Sequence, residues 1–207
     1  KTLNIALAGT GVGKSLFMCH MAAASLMEGK NVLYITLEMA EERIAERIDA
    51  NLMDLPIQQL ESLPKNVFDS KIEKIAKGAV GKLIVKEYPT ATAGVGHFRH
   101  LINELSMKRN FQPDIIYIDY LNIATSMRIK PGMNTGSYTY IKAIAEELRG
   151  LAVERNVPIV SATQLNRDGF KSSDPDLTDT SESFGLPATA DFMVAMISND
   201  ELQGKGQ

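Results

Sequence analysis

A glycine-rich segment near the beginning of the chain has the residue types and spacing of a phosphate-binding loop. Residues 8–15 match the Walker A pattern, with Ala8 in place of its first glycine. Glycines let the backbone turn its N–H groups toward an anion, a lysine reaches terminal phosphates as a point charge, and a serine hydroxyl can ligate Mg²⁺. We therefore expect a nucleotide to contact the following residues: Gly9, Thr10, Gly11, Val12, Gly13, Lys14, Ser15 and Leu16.

Two carboxylates follow apolar runs, at the points where strands of a parallel sheet would end. Asp119 closes the run 115–118, and Glu38 follows the run 32–37. Because ligands bind at the carboxyl edge of such sheets, we expect Asp119 to hold Mg²⁺ with Ser15, as a Walker B aspartate does. We expect Glu38 one strand away from the phosphate loop, where a carboxylate can deprotonate an attacking water. In the alternative interpretation, Glu38 only stabilises a helix N-terminus.

Two further polar side chains are candidates for contact with the nucleotide. Gln164 follows the apolar run 158–163, where an amide can hydrogen-bond the terminal phosphate and report its loss to the next loop. Arg47 lies in a helix predicted over 41–54 and either reaches the nucleotide or pairs with a neighbouring glutamate. Surface pairing is the commoner situation for such an arginine.

Two polar loops follow predicted strands, over 125–137 and about 166–182. Basic side chains in such loops can contact a nucleic-acid backbone, although solvated loop charges give the same pattern. The net charge of −3 does not support a strongly basic nucleic-acid surface. The candidate DNA-binding residues in these loops are Arg128, Lys130, Arg167 and Lys171.

The elements that must position these residues alternate along the chain. A helical insertion is expected over 56–80, and amphipathic helices separate the other apolar runs. Strands that are apolar almost throughout predict an α/β fold, with a mostly parallel central sheet and helices on both faces. The 207 residues, 44% of them hydrophobic, suit one large domain. Strands are predicted over 3–7, 32–37, 82–87, 114–121, 158–163 and 191–197.

Composition also bears on the compartment. Cys19 is the single cysteine, which excludes an internal disulfide and fits a reducing cytoplasm. No apolar run approaches the roughly 20 residues of a membrane span, and no secretory signal precedes the first strand. Because the chain starts at Lys1, directly in that strand, we expect a fragment of a longer protein.

The motifs resemble the RecA-like ATPase core of DnaB-type replicative DNA helicases over nearly the whole chain. Leu-Glu-Met at 37–39 and Gln-Leu-Asn-Arg at 164–167 are more specific than the phosphate loop, and Ile-Asp-Tyr-Leu at 118–121 completes the match. The closing segment 185–191 resembles the T-even-type bacteriophage branch of that family.

This resemblance implies a P-loop NTPase that uses ATP, or another NTP, with Mg²⁺. By position it implies that Lys14 and Ser15 bind phosphate and Mg²⁺, and that Glu38 is the general base. It likewise implies that Asp119 is the Walker B acid. Gln164 would be the phosphate sensor, and Arg47 would lie at the nucleotide.

The resemblance also implies an assembly and partners. A homo-hexameric ring would hold single-stranded DNA in its channel, with the two polar loops lining it, and would work with a primase and a helicase loader. The location would be the cytoplasm (of the host, if the protein is phage-encoded), without membrane association.

Two departures from the family pattern are visible. The segment 181–183 lacks the arginine that meets DNA in cellular members. We expect the arginine finger beyond residue 207 and an amino-terminal domain outside the chain, so that the fragment alone hydrolyses nucleotide poorly.

Two other classes remain open at this point. A RecA-type recombinase filament has the same core with similarly placed Glu and Gln residues. A non-motor module would use nucleotide only to control binding of a protein partner.

Overall fold

The computed structural model describes residues 1–60, 62–78, 81–129, 136–164 and 185–197. All six predicted strands are present, with ends shifted by a residue or two, and the described part of the insertion over 56–80 contains two helices. The elements in chain order are β1 (Leu3–Ala8), α1 (Lys14–Met27), β2 (Val32–Thr36), α2 (Glu41–Leu52), α3 (Ile57–Leu60), α4 (Lys65–Ala76), β3 (Leu83–Glu87), α5 (Val95–Arg109), β4 (Ile115–Asp119), α6 (Ser137–Arg155), β5 (Ile159–Gln164), α7 (Gly185–Thr189) and β6 (Phe192–Met196).

The described strands form one parallel sheet in the order β3-β2-β4-β5-β1-β6. All five residues of β2 are buried, as expected for a strand covered on both faces. Parallel pairing brings the carboxyl ends of these strands to one edge. The predicted α/β class is therefore correct, and the sheet presents one edge for the residues that follow its strands.

Each face of the sheet has its own apolar core. One face is covered by α1 and α2, through Met18 and Leu26 of the first helix and Ile44 and Ile48 of the second. The other face is covered by α5 and α6, whose apolar stripes pack on β1, β2 and β4. In the described part of the chain, no helix is both long and apolar enough to span a bilayer.

The strand order corrects one expectation. Glu38 follows β2, and β4 and β5 lie between β2 and β1, so its strand is not one strand from the phosphate loop. The reason is that α1 crosses over the sheet before the chain enters β2, and two later strands occupy the positions between. Hydrophobic pattern alone contains no information on which apolar strands become neighbours.

Candidate active site

The predicted phosphate-binding loop connects β1 to α1. Gly11 and Gly13 have φ angles of 78° and 107°, in the left-handed region that favours glycine. No side chain caps the N-terminus of α1, where Gly13 is the N-cap residue and its carbonyl accepts from the N–H of Phe17 at 2.9 Å. Uncapped N–H groups at a helix start suit an anion. The later glycines thus have the conformational role that the sequence predicts.

Lys14 lies among negative charges at the sheet edge. Its Nζ donates to the carbonyl oxygen of Gly9 at 3.3 Å and lies 5.7 Å from the centroid of the Tyr120 ring. Burial lowers the pKa of Lys14, and the charges of Glu38 and Asp119 oppose that shift. The lysine and both predicted carboxylates therefore belong to one electrostatic cluster.

Asp119 ends β4 and has no exposed surface. Its Oδ2 accepts a hydrogen bond from the hydroxyl of Tyr34 at 3.0 Å. Burial raises the pKa of Asp119, while the hydroxyls of Ser15 and Tyr34 and the charge of Lys14 favour the ionised form. The backbone of this aspartate is also fixed, because its carbonyl accepts from the N–H of Leu37 at 2.8 Å.

The second oxygen of Asp119 meets a requirement of Mg²⁺. Among the described residues, Oδ1 is buried and has no hydrogen-bond partner. A buried acceptor without a protein donor suits a cation or a water that the cation carries. No group of three His, Cys, Asp or Glu side chains in the described regions could hold a metal alone. The residues thus fit a Mg²⁺ ion that nucleotide phosphates hold together with two protein residues, Ser15 and Asp119.

Tyr34 is a site residue that the sequence reasoning missed. It is fully buried on β2 and stacks on Tyr117, with ring centroids 5.8 Å apart. The thiol of Cys19 lies 3.9 Å from its hydroxyl. Burial raises the pKa of Tyr34 well above its usual value, so it remains a hydrogen-bond donor to Asp119. No sequence signal indicates this contact, since the two residues are 85 positions apart.

Glu38 extends from a turn with a fixed backbone. The buried Thr36 hydroxyl donates to the carbonyl of Met39 at 2.8 Å and accepts from its N–H at 3.0 Å, so the two bonds bracket Glu38. The carboxylate of Glu38 is exposed, and its charge acts on Lys14 and on Asp119. β2 pairs with β4 in a register that aligns Thr36 with Asp119, which brings Glu38 to the cluster despite the strand order.

Gln164 ends β5 beside the phosphate loop, since β5 pairs with β1 in a register that aligns it with Ala8. Its Nε2 donates to the hydroxyl of Tyr120 at 3.3 Å. Tyr120 follows Asp119 directly through a cis peptide bond. The structure thus brings Gln164 to the same edge as Lys14, with the phenol of Tyr120 in contact with both.

Arg47 lies against the helix that follows the phosphate loop. Its positive charge opposes the effect of burial, which raises the pKa of Cys19 on α1 to about 11. One possible surface partner, Glu46, binds Arg43 instead at 2.9 Å. Contact of Arg47 with a nucleotide stays a prediction.

The DNA-binding candidates are only partly within the described residues. Arg128 is bound to α6, because its guanidinium donates to Glu146 at 2.6 Å, to Glu147 at 3.4 Å and to the Ala143 carbonyl at 3.0 Å. A phosphate would have to replace these partners. Lys130, Arg167 and Lys171 lie outside the described residues.

Comparisons with known proteins agree with the predicted family. The chain is 48% identical over 209 residues to the DnaB-like replicative helicase of Enterobacteria phage T4, a match that covers 100% of the chain and 44% of that protein. It is 31% identical over 196 residues to a probable plasmid replicative DNA helicase of Chlamydia psittaci, covering 91% of the chain and 41% of that protein. The chain therefore spans less than half the length of these relatives.

Solved structures agree on the fold. One solved structure, described as an ATPase domain, superimposes with a TM-score of 0.77 at 19% identity, over 100% of this chain and 72% of that one. A DnaB-like replicative helicase, described with its interactions with primase, superimposes with a TM-score of 0.76 at 20% identity, over 99% of this chain and 48% of that one. The predicted RecA-like α/β fold is confirmed, and so is the predicted likeness to a T-even phage relative.

The DnaB-like helicase C-terminal domain family matches residues 1–207, which is the whole chain. That match and the 48% identity to the phage T4 relative both extend over the whole chain, far beyond the cluster of Lys14, Glu38, Asp119 and Gln164. The chain belongs to the family of DnaB-like helicase C-terminal domains.

Proposed function

We propose that residues 1–207 are the motor domain of an NTP-dependent replicative DNA helicase, which hydrolyses ATP or another NTP to move along single-stranded DNA and unwind duplex. The observation that carries the proposal is the cluster at the sheet edge. Asp119 and Gln164 end β4 and β5, while Glu38 and Lys14 lie in the segments that follow β2 and β1. Lys14 and Gln164 can act on the terminal phosphate, Glu38 on the water that attacks it, and Asp119 on the Mg²⁺ that accompanies the nucleotide.

Binding comes first. The N–H groups of the phosphate loop and of the first turn of α1 surround the phosphates, while Lys14 exchanges its contact with the Gly9 carbonyl for a phosphate oxygen. Ser15 and Asp119 would hold Mg²⁺, which would offset part of the phosphate charge. We assign contact with the rest of the nucleotide to Arg47 and to Leu16, which is 57% exposed in the first turn of α1.

Hydrolysis then needs a base and a donor to the developing charge. Glu38 orients the attacking water toward the terminal phosphate and accepts a proton from it. Such a positioned base contributes roughly 10²–10⁴ in rate. The two hydrogen bonds between the Thr36 hydroxyl and the backbone of Met39 fix the backbone on either side of Glu38 during this step. Gln164 donates an amide N–H to the terminal phosphate and, as the last residue of β5, passes its loss to the following loop.

β4 and β5 are paired neighbours in the sheet, so the polar loops predicted after them begin from adjacent strands. We assign the binding of single-stranded DNA to these loops. The proposed contacts with the DNA phosphates are Arg128, Lys130, Arg167 and Lys171. We further assign a homo-hexameric ring, partnership with a primase and a loader, and action in the cytoplasm. The primase interaction described for the similar DnaB-like helicase supports that partner class.

The recombinase alternative is not favoured, because the matching family and the similar proteins are replicative helicases. The experiment is NTP turnover by the full-length protein with and without single-stranded DNA, together with its mass in solution and strand separation on a forked duplex. A hexamer with DNA-stimulated turnover and unwinding supports the proposal. An open nucleotide-dependent filament would indicate a recombinase, and nucleotide binding without turnover would indicate a regulatory module.

A further inference from the structure

Residues 88–94, which we call the linking segment, connect β3 to α5 and touch the turn that carries the proposed base. The N–H of Tyr88 donates to the carbonyl of Thr36 at 3.0 Å. The hydroxyl of Thr90 donates to the carbonyl of Leu37 at 2.7 Å. One backbone bond and one side-chain bond therefore hold this segment to the two residues that precede Glu38.

The same segment touches the beginning of the polar loop that follows β4. The N–H of Ala91 donates to the carbonyl of Ile123 at 3.0 Å, and the N–H of Thr125 donates to the carbonyl of Ala93 at 2.8 Å. Gly94 lies so close to Thr125 that a Cβ there would be 2.0 Å from the carbonyl oxygen of Thr125. These backbone contacts attach the linking segment to the beginning of that loop, of which we call residues 123–128 the loop stem.

The loop stem is itself one unit with α6. The carboxylate of Glu147 accepts from the hydroxyl of Ser126 at 2.5 Å and from the N–H groups of Met127 and Arg128 at 2.9 and 3.3 Å. Within the linking segment, Ala91 has a φ of 59°, a left-handed conformation that persists only where neighbouring bonds hold it. The contacts thus connect the loop stem, through the linking segment, to the two residues that precede Glu38.

We propose that the linking segment couples events at the loop after β4 to the position of Glu38, and that Thr90 is the positioning residue of this coupling. A displacement of the stem moves the backbone at 91–93, and the hydroxyl of Thr90 passes the displacement to the Leu37 carbonyl. DNA bound at the loop would then alter hydrolysis through the base. This inference rests on the proposed function, because it requires that the loop binds DNA.

Contiguous contacts make such coupling physically available, and the coupling itself is an energy that must be measured. The chain offers matched variants. Thr90→Val removes the hydroxyl without changing the shape, and Thr90→Ser keeps it. Thr92→Val is the control, because the Thr92 hydroxyl donates locally to the carbonyl of Pro89 at 2.6 Å.

The experiment measures NTP turnover of the full-length protein without DNA and with saturating oligo-dT, together with oligo-dT affinity. For Thr90→Val we expect the stimulation by DNA to fall about three- to tenfold, the effect of one hydrogen bond, with oligo-dT affinity and turnover without DNA within about twofold of wild type. Thr90→Ser and Thr92→Val should keep the stimulation of the wild type.

Stimulation that is unchanged in Thr90→Val, or that falls equally in Thr92→Val, would overturn the inference. The inference would also be overturned if turnover of Thr90→Val fell by the same factor with and without DNA. That result would mean that Thr90 positions Glu38 but does not couple it to the loop. If DNA does not stimulate the turnover of the wild-type protein, the proposed function itself is contradicted. That result differs from one in which DNA stimulates the wild type and Thr90→Val to the same extent, which contradicts only the coupling.

Discussion

The amide of Gln164 donates to the hydroxyl of Tyr120 at 3.3 Å, across the ends of two neighbouring strands. The ring of the same tyrosine lies 5.7 Å from the ammonium of Lys14. Tyr120 thus contacts both the lysine of the phosphate loop and the proposed phosphate sensor. Anchoring one N–H of the Gln164 amide leaves the other free to donate to a phosphate.

This relationship predicts a selective effect of Tyr120→Phe. The variant keeps the ring under Lys14 and removes the acceptor of Gln164, so we expect kcat to fall about three- to tenfold, the effect of one hydrogen bond. The nucleotide Kd should stay within about twofold, since Lys14 keeps its ring contact. Steady-state kinetics and fluorescent-nucleotide binding measure the two quantities. A rise in Kd that accounts for the whole effect would contradict the assigned role of the hydroxyl.

Lys14→Ala should act on binding itself. The variant removes the positive charge that reaches the phosphates, and a hydrogen bond to a charged group contributes about 1.5–3 kcal/mol, or about 10- to 100-fold in Kd. Lys30→Ala is the control, since Lys30 is exposed beyond the other end of α1. Isothermal titration with a non-hydrolysable NTP and Mg²⁺ measures both variants. Equal nucleotide affinities for Lys14→Ala and Lys30→Ala would contradict the assigned role of this loop in binding phosphate.

Tyr34→Phe should destabilise the fold. It leaves Oδ2 of the buried Asp119 without its donor, and we expect the free energy of unfolding to fall by about 1.5–3 kcal/mol. The control is Tyr117→Phe, the other ring of the stacked pair, whose hydroxyl contacts the Ser25 hydroxyl at 2.9 Å. That neutral contact should contribute about 0.5–1.5 kcal/mol. Urea denaturation without Mg²⁺ compares them, and a larger loss in Tyr117→Phe would contradict the assignment.

The ion pair of Asp191 and Arg149 predicts a pH dependence of stability. Asp191 accepts from Arg149 at 2.9 and 3.1 Å and from the N–H of Leu3 at 2.9 Å, and these donors lower its pKa. A carboxyl whose pKa is lower in the folded state stabilises the fold above its unfolded pKa of about 3.9 and loses that contribution as pH falls through the folded value.

We therefore expect Asp191→Asn to be less stable than wild type at pH 7, and the difference to shrink as pH falls below about 4. Arg149→Gln should show the same trend, and the double variant should lose little more than either single one. Chemical denaturation at a series of pH values makes the comparison. A difference that is constant with pH would show that the ionised carboxylate is not what stabilises this contact.

Local patterns were enough to predict much of the site. The strand, glycine turn and helix around Lys14 are contiguous in sequence, so their geometry follows from backbone chemistry alone. Asp119 and Gln164 each follow an apolar run, and parallel strands bring such positions to one edge. Glu38 reached the same edge for the same reason, although its strand neighbours were predicted wrongly.

The contacts that position these groups depend on distant parts of the chain. Tyr34 reads as one more apolar residue of a buried strand, and only the pairing of β2 with β4 makes it the donor to Asp119. Arg128 reads as a free loop cation, yet three acceptors on α6 bind it. No spacing in the sequence connects a residue of one element with a particular residue of another, so these roles become visible only in the folded chain.

Glu38 is the proposed base for NTP hydrolysis at this edge of the sheet. The most direct test of this role is single-turnover hydrolysis by full-length Glu38→Gln with single-stranded DNA, with NTP affinity measured in parallel and Glu42→Gln as the control from the exposed first turn of α2. We predict unchanged affinity and a rate lower by about 10²–10⁴ for Glu38→Gln, with Glu42→Gln like wild type. A Glu38→Gln protein that turns over at the wild-type rate would contradict the account.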